Sequence, residues 1–298
     1  MSTAPIDLTG IFPPIPTPFI HEAVAYDRLA QNVARWSRTG IRGLVVLGSN
    51  GEYPLLERAE KEKVVAAVAE AAPAAMTVIA GTGCESTRET IALTRACAAA
   101  GARAALVVSP HYYGGRMTDA ALIDHYRAVA DASPVPILLY NVPKFTHLNL
   151  SPAVVGTLSG HGNIVGVKDS AGSVAQLGEY LNRVPGDFRV LVGTAGALYG
   201  ALSLGCHGGI LALANVAPVE CVRICALTAG GHHQEAAALQ RRLLPVNTAV
   251  TATYGIPGLK AALDMLGYFG GEPRLPLQPS SAAEREAIAG ILREAGLG

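Results

Sequence analysis

Short apolar runs, rich in β-branched residues and closed by glycine, proline or a polar residue, recur along the first three quarters of the chain. They cover residues 11–17, 43–48, 77–82, 104–110, 136–143, 164–170, 189–194 and 208–216. Between them lie longer stretches with helical periodicity, among them 27–39, 57–71, 86–100 and 118–130, and the STRE that opens 86–100 has the pattern of a capping box. Eight strand-then-helix units predict an α/β fold of the (β/α)8 TIM-barrel type. An open doubly wound sheet is the poorer fit, because no GxGxxG follows the first run. Past residue 230 the alternation stops and three helical stretches are expected, at 232–247, 251–267 and 281–296. The organisation read from this pattern is a barrel domain over residues 1–230, holding the active site, and a C-terminal helical domain over 231–298. The helical domain is expected to pack on the barrel, with a neighbouring subunit as a second surface for it.

Composition narrows the partners. The 298 residues are 50% hydrophobic and 15% charged, enough for a large core, yet no apolar run is long enough to cross a membrane. Lysine plus arginine (23) equal aspartate plus glutamate (23), so no net field draws in nucleic acid or an anionic membrane surface. Small molecules or further copies of the chain are the partners this leaves. Five cysteines, an odd number without a CxxC pair, point to reduced thiols and a cytoplasmic protein. Cys221 and Cys225 are one helical turn apart and suit a metal, but buried free thiol is the commoner fate of such a pair. The N-terminal MSTAPIDLTG has neither the basic start nor the apolar core of a secretory signal.

One residue is out of place in the strand pattern. The run IVGVKDS carries Lys168 near its end, and strict alternation puts Ile164, Gly166 and Lys168 on one face with Val165 and Val167 on the other. If the lysine face lines a closed interior, desolvation disfavours a charged head group there and makes a usable amine nucleophile. The plainer reading is a lysine that snorkels to solvent or pairs with Asp169.

In such barrels the chemistry gathers at the C-terminal strand ends. Those ends carry GSNGE (48–52), SPHYY (109–113), YNVP (140–143), KDS (168–170) and GT (193–194). An amine on Lys168 can condense with a ketone to an iminium, which withdraws electrons and lets a neighbouring C–C bond break or form. Tyr140, on the same face as Leu138, is the natural proton carrier, with Ser49 and another tyrosine extending a relay. The GSNGE turn before a helix offers N–H groups to a carboxylate. This chemistry calls for no metal or organic cofactor, and its substrate is a 2-oxo acid. Each piece has a plain alternative: GSNGE as an ordinary tight turn, Tyr140 as a core tyrosine, Glu52 as a residue that fixes the turn or caps the helix.

GSNGE, the paired tyrosines, YNVP and GVKDS stand in the order found in the dihydrodipicolinate synthase and N-acetylneuraminate lyase family, which the chain resembles from about Gly10 to its tail. Within it, GSNGE, GCEST, YYGGRM, ILALANV and TYGIPGLK are similar to the 4-hydroxy-2-oxoglutarate aldolase branch. The resemblance implies Lys168 as Schiff-base lysine, Tyr140 as proton shuttle, and a relay through Ser49 and Tyr113, the last supplied by a neighbouring subunit with Tyr112 as substitute. It further implies Ser49 and Asn50 on the α-carboxylate, Ser170 and Gly193 beside the substrate, and the Ile210 carbonyl near the lysine. It implies a homotetramer built as a dimer of dimers. One position departs: where the lysine-precursor synthases have an arginine two residues after YNVP, this chain has Phe145, and Lys144 lacks the guanidinium fork. The expected reaction is therefore cleavage of a 4-hydroxy-2-oxo acid, foremost 4-hydroxy-2-oxoglutarate, to pyruvate and glyoxylate. A 2-keto-3-deoxy sugar-acid aldolase or dehydratase comes next, then the synthase, disfavoured by Phe145, and outside enzymes a keto-acid sensor.

Overall fold

Prolines set the length of the first strand. Pro13 and Pro14 carry no N–H, so the apolar run from residue 11 stays in the ladder only over Gly10–Phe12, strand β1. In the computed structural model, which describes residues 6–298, seven further strands of the same sheet follow, β2 Gly43–Val46, β3 Thr77–Gly81, β4 Ala104–Val108, β5 Ile137–Asn141, β6 Ile164–Asp169, β7 Arg189–Val192 and β8 Gly208–Ile210, with a separate short hairpin of Phe19–Ile20 and Ala23–Val24 before the first helix. Part of the N-terminal stretch read as lacking a secretory signal, residues 1–5, lies outside the described residues. The strands pair in parallel in the order β1-β8-β7-β6-β5-β4-β3-β2. A bridge between Pro14 and Val45 joins the two ends, with Val45 N donating to the Pro13 carbonyl and Ile15 N to the Val45 carbonyl, each at 2.9 Å. The sheet thus rolls up as the (β/α)8 barrel that the eight runs predicted.

Eight helices surround it: α1 Tyr26–Trp36, α2 Arg58–Ala71, α3 Thr87–Ala99, α4 Asp119–Ala132, α5 Pro152–Leu158, α6 Val174–Leu181, α7 Leu198–Ser203 and α8 Pro218–Ala229. Of the expected capping box of α3 one half is present: Ser86 Oγ accepts from Glu89 N at 3.1 Å, while the Glu89 carboxylate turns to Arg58 instead of the Ser86 N–H. Alternation along the strands feeds two cores. Val46, Val78, Val107, Leu139, Val167 and Val190 pack outward with the helices. Phe12, Val45, Ile79, Leu106, Leu138, Leu191 and Ile210 form a separate cluster with no helix residue in it, which is the barrel interior.

The tail forms α9 His233–Thr248, α10 Gly255–Met265 and α11 Ala282–Glu294. The expected second stretch from residue 251 instead begins as one wide turn over Ala249–Thr253, closed by Tyr254 N donating to the Ala249 carbonyl at 2.9 Å. Such π turns widen a helix where a site needs room. The last apolar run also ends early, because after Ile210 the chain coils into a buried turn at Ala212–Asn215, which an apolar pattern alone does not separate from a buried strand. No helix among the described residues is long and apolar enough to cross a membrane, and all five cysteines are free.

Candidate active site

Lys168 points into the barrel. Its neighbours across the ladder are Tyr140 on β5 and Leu191 on β7, both members of the interior cluster. The residue is 4% exposed and its Nζ lies 3.9 Å from the centroid of the Tyr140 ring. Among the described residues no carboxylate stands within ion-pair distance of it. Burying an unpaired charged head group costs several kcal/mol, more than the roughly 2 kcal/mol a desolvated cation–π contact returns. Lys168 therefore does not serve stability, and buried groups of that kind gather at functional sites.

Strict alternation breaks at one point in this strand. Val165, not Ile164, packs against the interior cluster, and Ile164 sits in the outer core with Val167. The register explains it: Ile137 faces Ile164 but Leu138 faces Gly166, so Val165 is an inserted bulge residue that turns Ile164 outward while leaving Lys168 inward. The alternative pairing of Lys168 with Asp169 does not occur, since adjacent strand residues point to opposite faces. Asp169 Oδ1 instead accepts from Asn141 Nδ2 at 2.6 Å, Gln176 Nε2 at 3.2 Å and Ala171 N at 3.3 Å. Burial pushes its carboxyl up against the pull of these donors.

The other strand ends close around the lysine. A cavity of about 200 Å³ is lined by Ser49, Asn50, Tyr140, Lys168, Ser170, Gly193 and Ile210, so seven of the eight residues expected at the site are together. Ser49 Oγ and Tyr140 Oη are 3.5 Å apart. Burial alone would raise the Tyr140 phenol, but the charge of Lys168 and contacts with the Ser49, Lys168 and Ser170 side chains outweigh it and hold the phenol below its ordinary value. Asn50 contributes a buried amide nitrogen, Nδ2, that has no partner among the described residues.

Gly193 is required by close approach. Its N–H donates to the Asp169 carbonyl at 2.6 Å, and a Cβ on it would stand 2.0 Å from Ser170 Oγ. Gly193→Ala is expected to swing the Ser170 hydroxyl out of the cavity and raise KM for the 2-oxo acid about tenfold, the loss of one hydrogen bond. Steady-state kinetics checks it, and an unchanged KM would show that the hydroxyl is not needed there.

Two expectations for the GSNGE turn are not met, and Tyr113, expected from a neighbouring subunit, stays away from the cavity of its own. Tyr113 is not on the cavity: it is 70% exposed and Tyr112 77%, the two rings edge-on at 5.1 Å. The loop that carries them is tied at its start, His111 N and Tyr112 N both donating to Glu85 Oε2, at 2.9 and 2.8 Å. The helix dipole invoked for GSNGE is also absent from the turn. Glu52 takes a left-handed conformation (φ 56°) and further turning follows at Tyr53–Leu55, so α2 begins only at Arg58. Glu52 does not cap α2 either; Glu60 Oε2 accepts from Glu57 N there at 2.9 Å. Residues the sequence reading did not place complete the cavity, namely Asn247, Val250, Thr251, Gly255 and Ile256 from the tail. The TYGIPGLK motif was the available signal for Gly255 and Ile256, and nothing comparable marks Asn247, Val250 and Thr251. Lys144 and Phe145 stand at the same cavity, Lys144 Nζ donating to the Thr251 carbonyl at 3.3 Å.

Residues 7–295 match the model of the dihydrodipicolinate synthetase family. The chain belongs to that family. A 4-hydroxy-tetrahydrodipicolinate synthase of Methanothrix thermoacetophila is 39% identical over 286 residues, 95% of either chain. Among solved structures, the chloride-inhibited dihydrodipicolinate synthase of Acinetobacter baumannii complexed with pyruvate superposes with a TM-score of 0.93 at 31% identity, covering 98% of this chain and 100% of that one. YagE, a prophage protein of the same family from E. coli K12 in complex with pyruvate, gives a TM-score of 0.92 at 30% identity, over 98% and 99% of the two chains. This is a family of pyruvate-dependent lyases. None of these relatives is named as a 4-hydroxy-2-oxoglutarate aldolase, the branch the sequence motifs suggested.

Proposed function

We propose that the protein is a class I aldolase that cleaves 4-hydroxy-2-oxoglutarate to pyruvate and glyoxylate. The observation that carries this reading is the charge of the cavity: among the described residues its charged groups are Lys168 and Lys144, no carboxylate lines it, and Phe145 stands beside Lys144. With Lys168 spent on the C2 carbonyl, Lys144 suits the second carboxylate of a 2-oxo diacid, and the small glyoxylate half needs a point charge rather than a fork. Lys168 attacks the C2 carbonyl and water leaves, forming an iminium. Tyr140 takes the proton of the C4 hydroxyl as the C3–C4 bond breaks, glyoxylate departs, and the enamine is protonated at C3 before water releases pyruvate. The Ser49 and Asn50 amides and the unpartnered Asn50 Nδ2 are the donors for the α-carboxylate, with Ser170, Gly193 and the Ile210 carbonyl around the reacting carbon.

In this reading the enzyme is a cytoplasmic homotetramer of a barrel (1–230) and a helical domain (231–298), and Tyr113 or Tyr112 of a neighbouring subunit completes the relay. The exposure of both rings supports that. The names of the relatives favour a second reading, the synthase reaction, against which Phe145 stands. Borohydride with pyruvate is expected to leave an adduct on Lys168, located by peptide mass. Pyruvate is then offered glyoxylate, a sugar-derived aldehyde and an amino-acid semialdehyde, with glyoxylate expected to give the highest kcat/KM. An amino-acid semialdehyde in first place would turn the assignment to the synthase, and a sugar aldehyde to the sugar-acid branch. No adduct and no turnover with any 2-oxo acid would leave the sensor.

A further inference from the structure

Glu52, the last residue of GSNGE, is buried and unused by the chemistry above. So is Lys260 on α10. Their side chains are 0% and 1% exposed, with Lys260 Nζ 2.5 Å from Glu52 Oε1. Each is held from other directions. Glu52 Oε2 accepts from Arg274 N at 2.8 Å, and Lys260 Nζ donates to the Glu272 carbonyl at 2.7 Å while lying 4.5 Å from the centroid of the Phe19 ring. Arg274 packs on the same ring at 4.3 Å and reaches Glu60 at 2.6 Å and the Leu55 carbonyl at 2.9 Å. The turn is also pinned from the barrel, Thr17 Oγ1 donating to the Gly51 carbonyl at 2.8 Å. Burial lowers the Lys260 ammonium from its ordinary value, and Glu52 and Asp264 pull it back.

The placement of this pair matters more than its strength. Buried ion pairs are weak evidence for stability, because an apolar pair of the same size often holds a fold equally well. Their better-attested use is to fix one arrangement among several that packing alone would allow. Here two arrangements meet at the cavity. Glu52 follows Ser49 and Asn50 on the barrel wall, and Lys260 lies one helical turn beyond Gly255 and Ile256, which form the wall contributed by the tail. An apolar contact at this point would let α10 slide against the turn, whereas a buried ion pair closed at 2.5 Å resists being drawn apart.

We propose that the Glu52–Lys260 pair is a positioning device: it couples the Ser49–Asn50 turn to the first turn of α10 and so sets the geometry of the 2-oxo acid carboxylate site. This rests on the proposed pyruvate chemistry. Either single substitution strands a buried charge and tests stability as much as position. The informative protein is therefore the neutral double variant Glu52→Gln/Lys260→Met, in which residue 52 can still accept from Arg274 N. It is expected to fold as the wild type does by circular dichroism. The pyruvate concentration for half-maximal borohydride trapping is expected to rise about tenfold, as for one lost charge-assisted hydrogen bond, with kcat at saturating substrate within about threefold. A folded double variant with unchanged half-saturation overturns the proposal.

A wild-type measurement covers a variant that does not fold. On pyruvate trapping, backbone amides of α10 around Lys260 are expected to slow in hydrogen exchange together with those of residues 49–52, and no change in α10 overturns the coupling. If wild type itself is not trapped at Lys168, it is the pyruvate chemistry that fails and the coupling proposal falls with it. Trapping in wild type with no response in the double variant removes the coupling alone.

Discussion

Alanine at position 168 is expected to remove borohydride trapping by pyruvate completely and to lower kcat/KM by roughly 10⁵-fold or more, the scale of losing a covalent nucleophile. The reason is local. Lys168 is the lysine that β6 turns into the barrel, 3.9 Å from the Tyr140 ring, and Lys144 sits at the cavity on the segment after β5. Peptide mass mapping after reduction and a coupled assay for pyruvate release check both parts. Lys168→Met, which keeps the stem and drops the head group, is expected to match or exceed wild type in thermal stability, since the cost of an unpaired buried head group disappears. Retained turnover in Lys168→Ala would end the Schiff-base reading, whatever the fate of stability.

Tyr140→Phe is expected to carry the second largest effect. The ring, and with it the packing against Lys168, is kept, but the group that moves the C4 proton is gone, so kcat should fall about 10³-fold with trapping by pyruvate retained. The pH profile adds a sharper sign. Tyr140 takes the C4 proton only while deprotonated, and the Lys168 charge with the Ser49 and Ser170 contacts outweighs burial and places its folded value below the ordinary tyrosine value. Cleavage limited by this group is therefore full at higher pH and lost as pH falls through that lowered value, a limb lying at lower pH than an unperturbed phenol would give. In Tyr140→Phe the small residual activity should lack this acid limb. A variant that keeps both the rate and the limb would show that another group carries the proton.

How much of this was legible beforehand varied by element. The eight runs survive as eight strands because each is apolar on both faces, a pattern only a parallel sheet buried between helices and interior tolerates. The ends of the strands were legible too, since in a barrel they face one another whatever their separation in the chain. Ile164 was misplaced because a bulge adds one residue without leaving a mark in the hydrophobic pattern. Glu52 read as a turn or cap residue, since its partner is 208 positions away on α10 and nothing local announces a buried ion pair. Tyr113 is expected at the relay of a neighbouring subunit, and its ring is exposed on the surface of its own, so one chain alone does not display that contact.

The sequence by itself determined the barrel, the inward-facing lysine and the hydroxyl groups at neighbouring strand ends, because periodicity and strand order are local properties that the fold must respect. Only the tertiary structure decided which groups meet. The Lys168–Tyr140–Ser49 contact, the wall from Asn247 to Ile256 and the Glu52–Lys260 pair each join residues from distant parts of the chain. Such contacts depend on how layers pack, and packing is fixed by shape and burial over the whole molecule rather than by any one stretch.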